Sequence, residues 1–284
     1  MDDIALKARE QKNWSSAAEG WRRRDELLCK GAAPVTKRML ELSGVTVGSH
    51  VLDIASGTGE PVLSAAKMVG DSGKVIGTDL TQAMLDVARD KAEQQGLKHM
   101  IFQCADAENL DFPDASFDAV TMRWGLMFMP NPDVCLAQAY RMLKPHGRMS
   151  LACWSAPDKN PFVGLLMQVL ARYMDIPKAE PRAPGIFAFA DPDDLREIMD
   201  AAGFAHIEME EMAIDVLEVA DGRAYWEAIS DLAAPVMAWV NQLDENARER
   251  YIEDVIQSAD ALKQGDTLRM QGTTWIASAE KPHG

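Results

Sequence analysis

Apolar positions along the chain fall into two textures. Over residues 4–30, Trp14, Ala17, Ala18, Trp21, Leu27 and Leu28 recur at helical spacing, and a second helical stretch follows at 34–43. From His50 the apolar residues gather instead into short runs, HVLDIA, KVIGTD, HMIFQC, FDAVTM and GRMSLACW, each followed by a stretch of helical period. Strand alternating with helix predicts βαβ units, and therefore an α/β, Rossmann-like, mostly parallel sheet with helices on both faces. Pro and Gly concentrate at 155–192, which reads as a loop-rich insertion. After it, Asp191 before Pro192 and the stop at Gly203 predict a helix, leading to a strand at 206–214. Residues 222–263 are helical again, with Trp226, Ile229, Leu232, Val236 and Trp239 as apolar positions, and a strand-like run near 268–279 closes the pattern. The expected organisation is an N-terminal helical cap over 1–48 and a main domain over 49–284 that carries a lid-like insertion at 155–192 and a helical one at 222–263.

Charge narrows the partners. The 284 residues hold 29 Lys+Arg against 44 Asp+Glu, a net −15, and most of the excess lies after residue 204. Nucleic-acid binders draw much of their affinity from clustered basic surface, and anionic membranes attract the same, so both are excluded as expected partners. The four cysteines, at 29, 104, 135 and 153, lack any C-x-x-C spacing, and a chain of this length needs no covalent staples. A reduced, cytoplasmic chain is the expectation. The N-terminus has no apolar signal region, and nowhere does the chain run 18 apolar residues, so no membrane span is expected. No His/Cys/Asp cluster has metal-ligand spacing, and no metal is expected.

The candidate chemistry begins at Val51-Leu52-Asp53-Ile54-Ala55-Ser56-Gly57-Thr58-Gly59-Glu60-Pro61, a strand running into a glycine pair and then a helix. Glycines at such a turn let a ligand approach the backbone. A dinucleotide fingerprint needs a third glycine where Val62 stands, and the carboxylate of Asp53 would repel a diphosphate. It suits a ligand carrying a sulfonium and an ammonium, as S-adenosylmethionine does. The next strand ends at Asp79, about 20 residues on, the spacing of a carboxylate that accepts from ribose hydroxyls. The third ends in Cys104-Ala105-Asp106-Ala107-Glu108, where Asp106 can accept from an adenine amine and Ala107 can offer its N–H to a ring nitrogen. Each acid alone reads equally as a helix cap. Three at successive strand ends, where open α/β sheets bind ligands, make one adenosine site the better account.

On these motifs, and on AYRMLKPHGRMSLACW further along, the chain resembles the class I S-adenosylmethionine-dependent methyltransferases over about residues 45–155, in the small-molecule branch related to the ubiquinone/menaquinone biosynthesis methyltransferases. The resemblance implies a seven-stranded sheet whose last strand runs antiparallel. It implies that Asp53, Ala55, Ser56, Gly57, Thr58 and Gly59 bind the methionine half of the cofactor, Asp79 the ribose, and Asp106, Ala107 and Glu108 the adenine end, with Leu80 and Met84 flanking the adenosine. Arg123 and Trp124 stand where the family contacts the methionyl part, although Trp124 reads equally as a core aromatic. Trp14 and Trp21 either close over the methyl donor or only fasten their helix to the sheet.

The quinone-modifying relatives carry an Arg-Asn pair after the fourth strand, and Met127 and Phe128 stand there in this chain. Together with Trp21, Trp154 and Phe187 they are the candidates for contact with a small, largely apolar or aromatic acceptor, methylated on O, C or N by in-line transfer. The insertion and the N-terminal helices form either a lid or a buttress. None of the five histidines falls at a strand end suited to proton transfer, so no catalytic base is named. Two rival functions stand beside the methyltransferase: a cofactor-binding protein of the same fold without transferase activity, and an NAD-dependent oxidoreductase. The helical block at 222–263 packs either on its own sheet or on a second subunit, which would give a homodimer.

Overall fold

A computed structural model describes residues 2–177, 180 and 182–283. Helices α1 (Asp3–Arg23) and α2 (Asp25–Leu42) precede the alternating region. Strands β1 (His50–Ile54), β2 (Lys74–Asp79), β3 (Met100–Cys104), β4 (Phe117–Arg123), β5 (Leu143–Trp154), β6 (Ala205–Val219) and β7 (Leu268–Glu280) form one sheet in the order β3-β2-β1-β4-β5-β7-β6. Strand β7 alone runs antiparallel to its neighbours. Helices α3 (Val62–Val69), α4 (Gln82–Gln94), α5 (Pro132–Met142), α6 (Pro161–Leu170) and α7 (Pro192–Ala201) cover the sheet. Val51, Leu52 and Ile54 of β1 and Val120 and Met122 of β4 are fully buried, as expected of strands covered on both faces. Chain order reverses between β1 and β4, which opens a crevice at their C-terminal ends.

Three boundaries differ from the sequence reading, each for a packing reason. The first two helices part at Arg24, not at the Gly31–Pro34 stretch, and Pro34 lies inside α2. Gly31 is there because α2 presses on β6: a Cβ at this position would sit 2.3 Å from the carbonyl oxygen of Val216. The 222–263 block is three helices, α8 (Gly222–Leu232), α9 (Ala234–Val240) and α10 (Glu245–Asp260), with Asp221 and Asp244 as side-chain caps. The insertion is less of a loop than its Pro and Gly content suggests. It contains α6, whose Val163, Leu166, Val169 and Leu170 are buried in the core. The Asp191 cap is observed, accepting from the N–H of Asp193.

The helical block packs on this chain's own elements, α8 and α9 against α1 and α10 against α6. Trp21 Nε1 donates to the carbonyl of Leu232 at 3.2 Å, and Arg23 and Arg24 both pair with Asp231. The N-terminal cap and the late helices therefore close on each other above the crevice. No helix among the described residues is long and apolar enough to cross a membrane.

Candidate active site

The sheet order sets three acids in a row along the strand ends. Asp79 ends β2, and its carboxylate accepts from the backbone N–H of Gly57 at 2.9 Å and of Thr81 at 2.8 Å. Burial pushes its pKa up, and those two N–H groups oppose the shift. Each oxygen accepts one of these bonds and can accept another, and Asp79 lines the cavity, as an acceptor for a pair of ribose hydroxyls requires. Asp106, after β3, accepts from the N–H of Glu108 at 3.0 Å, while Ala107 between them makes no backbone hydrogen bond among the described residues. A free donor beside a carboxylate is what an adenine edge needs.

Between β1 and α3 the glycine loop reaches the cavity. Gly57 sits at φ +52°, and a Cβ there would meet no protein atom within 4 Å, so its bare face is open to a ligand. Gly59 plays a different part. At φ +114° its missing Cβ leaves room for Leu63 and Ala88, and it does not line the cavity. Ala55 and Trp124, at φ +57° and +58°, are non-glycine residues in left-handed backbone on facing turns after β1 and β4. Such strain concentrates where surrounding structure holds a site in place.

Asp53 lies beneath this loop and is 0% exposed. The β1–β4 register sets it opposite Thr121, whose hydroxyl donates to Oδ1 at 2.6 Å, while Oδ2 is buried with no partner among the described residues. Desolvation pushes its pKa up to about 7 despite that bond and despite Arg123 nearby.

The cap contributes its own polar groups. Lys7 Nζ bridges Asp106 and Glu108 at 2.7 Å each, and although burial works against its charge the two carboxylates hold its pKa above the ordinary value. Glu10 and Trp14 follow on the same face of α1, and Gln11 donates to the carbonyl of Leu80. Trp14 meets Phe128 edge-on at 5.3 Å and Trp21 at 5.8 Å.

Beyond β4 the cavity, about 250 Å³, becomes apolar. Trp124 stacks on Trp154 with centroids 4.3 Å apart, and Trp154 leans on Phe162 at 4.5 Å. Trp124 Nε1 is satisfied by Thr274, so the ring presents only its apolar body. Met127, Phe128, Leu28, Val216 and Leu217 continue the wall, and Ile229, Leu232, Pro235 and Val236 of α8 and α9 roof it.

Of the sequence candidates, Trp14, Trp21, Ala55, Ser56, Gly57, Thr58, Asp79, Leu80, Met84, Asp106, Ala107, Glu108, Arg123, Trp124, Met127, Phe128 and Trp154 all line this one cavity. Three stand elsewhere. Asp53 and Gly59 lie behind the loop, and Phe187, half-buried against the core, does not line the cavity, whereas its neighbour Ile186 does. Gly185 donates its N–H to the carbonyl of Met127 at 2.8 Å, which ties this turn to the cavity wall. Sequence reasoning missed Lys7 and Glu10, although both share the helical face of Trp14. It also missed Glu60, and it saw Ile229, Leu232 and Val236 only as packing positions.

Comparison with known proteins agrees with this geometry. Residues 32–222 match the ubiE/COQ5 methyltransferase family. A ubiquinone/menaquinone biosynthesis C-methyltransferase of Cellvibrio japonicus is 33% identical over 217 residues, 70% of this chain and 84% of that protein. Its counterpart in Saccharophagus degradans is 32% identical over 195 residues, 64% and 78% respectively. Among solved structures, a putative methyltransferase of Bacillus halodurans superposes with a TM-score of 0.57 at 22% identity, covering 87% of this chain and 99% of its own. A phosphoethanolamine N-methyltransferase of Haemonchus contortus, solved with S-adenosyl-L-methionine, gives 0.54 at 20% identity over 88% of this chain and 53% of its own. The acid row, the open glycine turn and the family match together set the dinucleotide and non-enzymatic readings aside: the chain belongs to the ubiE/COQ5 methyltransferase family and is an S-adenosylmethionine-dependent methyltransferase.

Proposed function

We propose that the enzyme transfers the methyl group to a small, largely apolar or aromatic acceptor and releases S-adenosylhomocysteine. The observation that carries this reading is the wall beyond β4, where the Trp124–Trp154–Phe162 stack faces Ile229, Leu232 and Val236. An ionised acceptor would lose its hydration against such a surface without repayment in hydrogen bonds. A flat ring would instead gain contact area with stacked aromatics.

When bound, the cofactor supplies an electrophilic methyl on a cationic sulfur. The protein's own residues hold the two partners and keep water out. Asp79 and Asp106 orient the adenosine, the apolar wall places the acceptor, and the meeting of α1 with α8 and α9 closes the space above. Alignment of this kind supplies several kcal/mol of rate without a dedicated base. The names of the relatives favour a ring carbon of a quinone precursor as a second reading. Met127 and Phe128, in place of that branch's Arg-Asn pair, offer no polar group to a quinone ring and favour the broader reading of a neutral, hydrophobic acceptor. The four free thiols fit a reducing, cytoplasmic setting.

The test is transfer of a labelled methyl group to a panel of hydrophobic phenols, hydroquinones and amines alongside charged analogues of the same size. Transfer confined to the neutral, hydrophobic members is the expected result. Preference for the charged analogues would overturn the proposal.

A further inference from the structure

The structure assigns Lys91 of α4 the part of a positioning residue: it fixes the glycine turn for the cofactor and makes that turn depend on the seating of the N-terminal helices. The inference rests on the S-adenosylmethionine reading of the cavity, and it concerns side chains that do not line it, Lys91 and Asp25.

The turn after β1 needs such a support. Thr58 lies between Gly57 at φ +52° and Gly59 at φ +114°, two residues with no Cβ to restrict the backbone. Gly57 is anchored through its N–H to Asp79, and Gly59 donates to the carbonyl of Ser56 at 2.9 Å. The carbonyl of Thr58 has no backbone donor among the described residues. Its one hydrogen bond there comes from Nζ of Lys91, at 2.8 Å.

The same ammonium reaches the cap. Lys91 Nζ donates to Oδ1 of Asp25, at the start of α2, at 2.6 Å, and the lysine side chain is only 13% exposed. An ammonium so far removed from water needs its donors used, so both partners count. The residue before Asp25 turns the other way: Arg24 pairs with Asp231 of α8 at 2.8 Å and donates to the carbonyl of Glu227 at 3.0 Å. Two consecutive residues at the α1–α2 junction thus hold the roof on one side and, through Lys91, the glycine turn on the other. Lys7, by contrast, runs to the acids after β3 and leaves the turn alone.

The experiment measures the affinity of the full chain for S-adenosylhomocysteine by calorimetry, beside methylthioadenosine, which lacks the amino-acid end. Lys91→Met is expected to weaken S-adenosylhomocysteine roughly 10-fold or more, the usual loss for a hydrogen bond from a charged group. Asp25→Ala, which leaves Lys91 in place but unanchored, should lose about three- to tenfold. The two together should lose no more than Lys91→Met alone, because Asp25 acts through Lys91. Lys91→Arg, with donors enough for both acceptors, should recover part of the affinity. Methylthioadenosine should change by less than about twofold throughout, which also reports that each variant is folded. If Lys91→Met does not fold, Asp25→Ala carries the test, since Asp25 is 31% exposed at a helix start. Failure of the wild-type chain to bind S-adenosylhomocysteine would overturn the cofactor reading itself. Affinity within about twofold of wild type in either single variant, equal losses for the two ligands, or additive losses in the pair would overturn this inference alone.

Discussion

The strand-end half of the cavity and its helix-roofed half differ in what the chain spends on them. At the strand ends nearly every residue has a hydrogen-bonding duty: Asp79 holds Gly57 and Thr81, Asp106 holds Glu108 and Lys7, and Asp53 holds Thr121. In the other half shape alone is specified, by Trp124, Trp154, Phe162 and the apolar face of α8 and α9. The family match runs through both halves, the Trp124–Trp154–Phe162 stack included. It includes all three acids and the glycine turn but stops at residue 222, before Ile229, Leu232 and Val236. A polar site for an unvarying ligand tolerates few residue types, whereas an apolar wall is served by many. The difference teaches that the strand-end half is specified by individual hydrogen bonds and the roof by shape alone.

The largest expected effect separates the halves by pH. Asp53 has its folded pKa raised from 3.8 to about 7, so the folded state binds the extra proton. Its favourable contribution is complete below the unfolded value and is lost as pH rises through 7, amounting to roughly 4 kcal/mol. Denaturant unfolding of Asp53→Asn should therefore lose less stability than the wild type between pH 4 and pH 8, chosen as about the two ends of that window. Parallel pH dependence in the two proteins would remove Asp53 as a titrating group.

Next comes Asp79, proposed to hold the ribose. Asp79→Ala should weaken S-adenosylhomocysteine by about 1.5–3 kcal/mol, the usual loss for hydrogen bonds to a charged group, and leave the acceptor KM unchanged. A rise in both would mean that the halves are not separable.

The converse substitution is in the roof. Leu232→Ala should raise the acceptor KM by about tenfold through lost contact, with cofactor affinity within twofold of wild type. Calorimetry beside steady-state kinetics reads both numbers. Smallest of all is the pinned turn, where Ile186→Ala should raise the acceptor KM by a few-fold at most, about 1 kcal/mol, and Phe187→Ala should not. The reverse order would show that the turn opens during the reaction.

Much of the cofactor half was legible beforehand because strand ends are local. A short apolar run that ends in an acid or in Gly-x-Gly declares its own C-terminus, and parallel sheets gather those termini on one edge. Even so, the buried position of Asp53 beneath the loop is not legible in the sequence. Alternation along β1 says which residue ends the strand but not that register with Thr121 draws its carboxylate under the loop. Lys7 stayed hidden because its partners are about a hundred residues away, and nothing in its neighbours distinguishes it from a solvated lysine.

The amino-acid sequence by itself determined the alternation of strand and helix, the glycine turn and the three acids at successive strand ends. Those features follow from periodicity and from chemistry within a few residues of each other. The tertiary structure alone decided that α1 meets α8 and α9 through Trp21 and Leu232, that Ile186 rather than Phe187 faces the cavity, and that Lys91 of α4 reaches the carbonyl of Thr58. Each is a long-range juxtaposition, and close packing decides it by which side chains fit together once the sheet has formed.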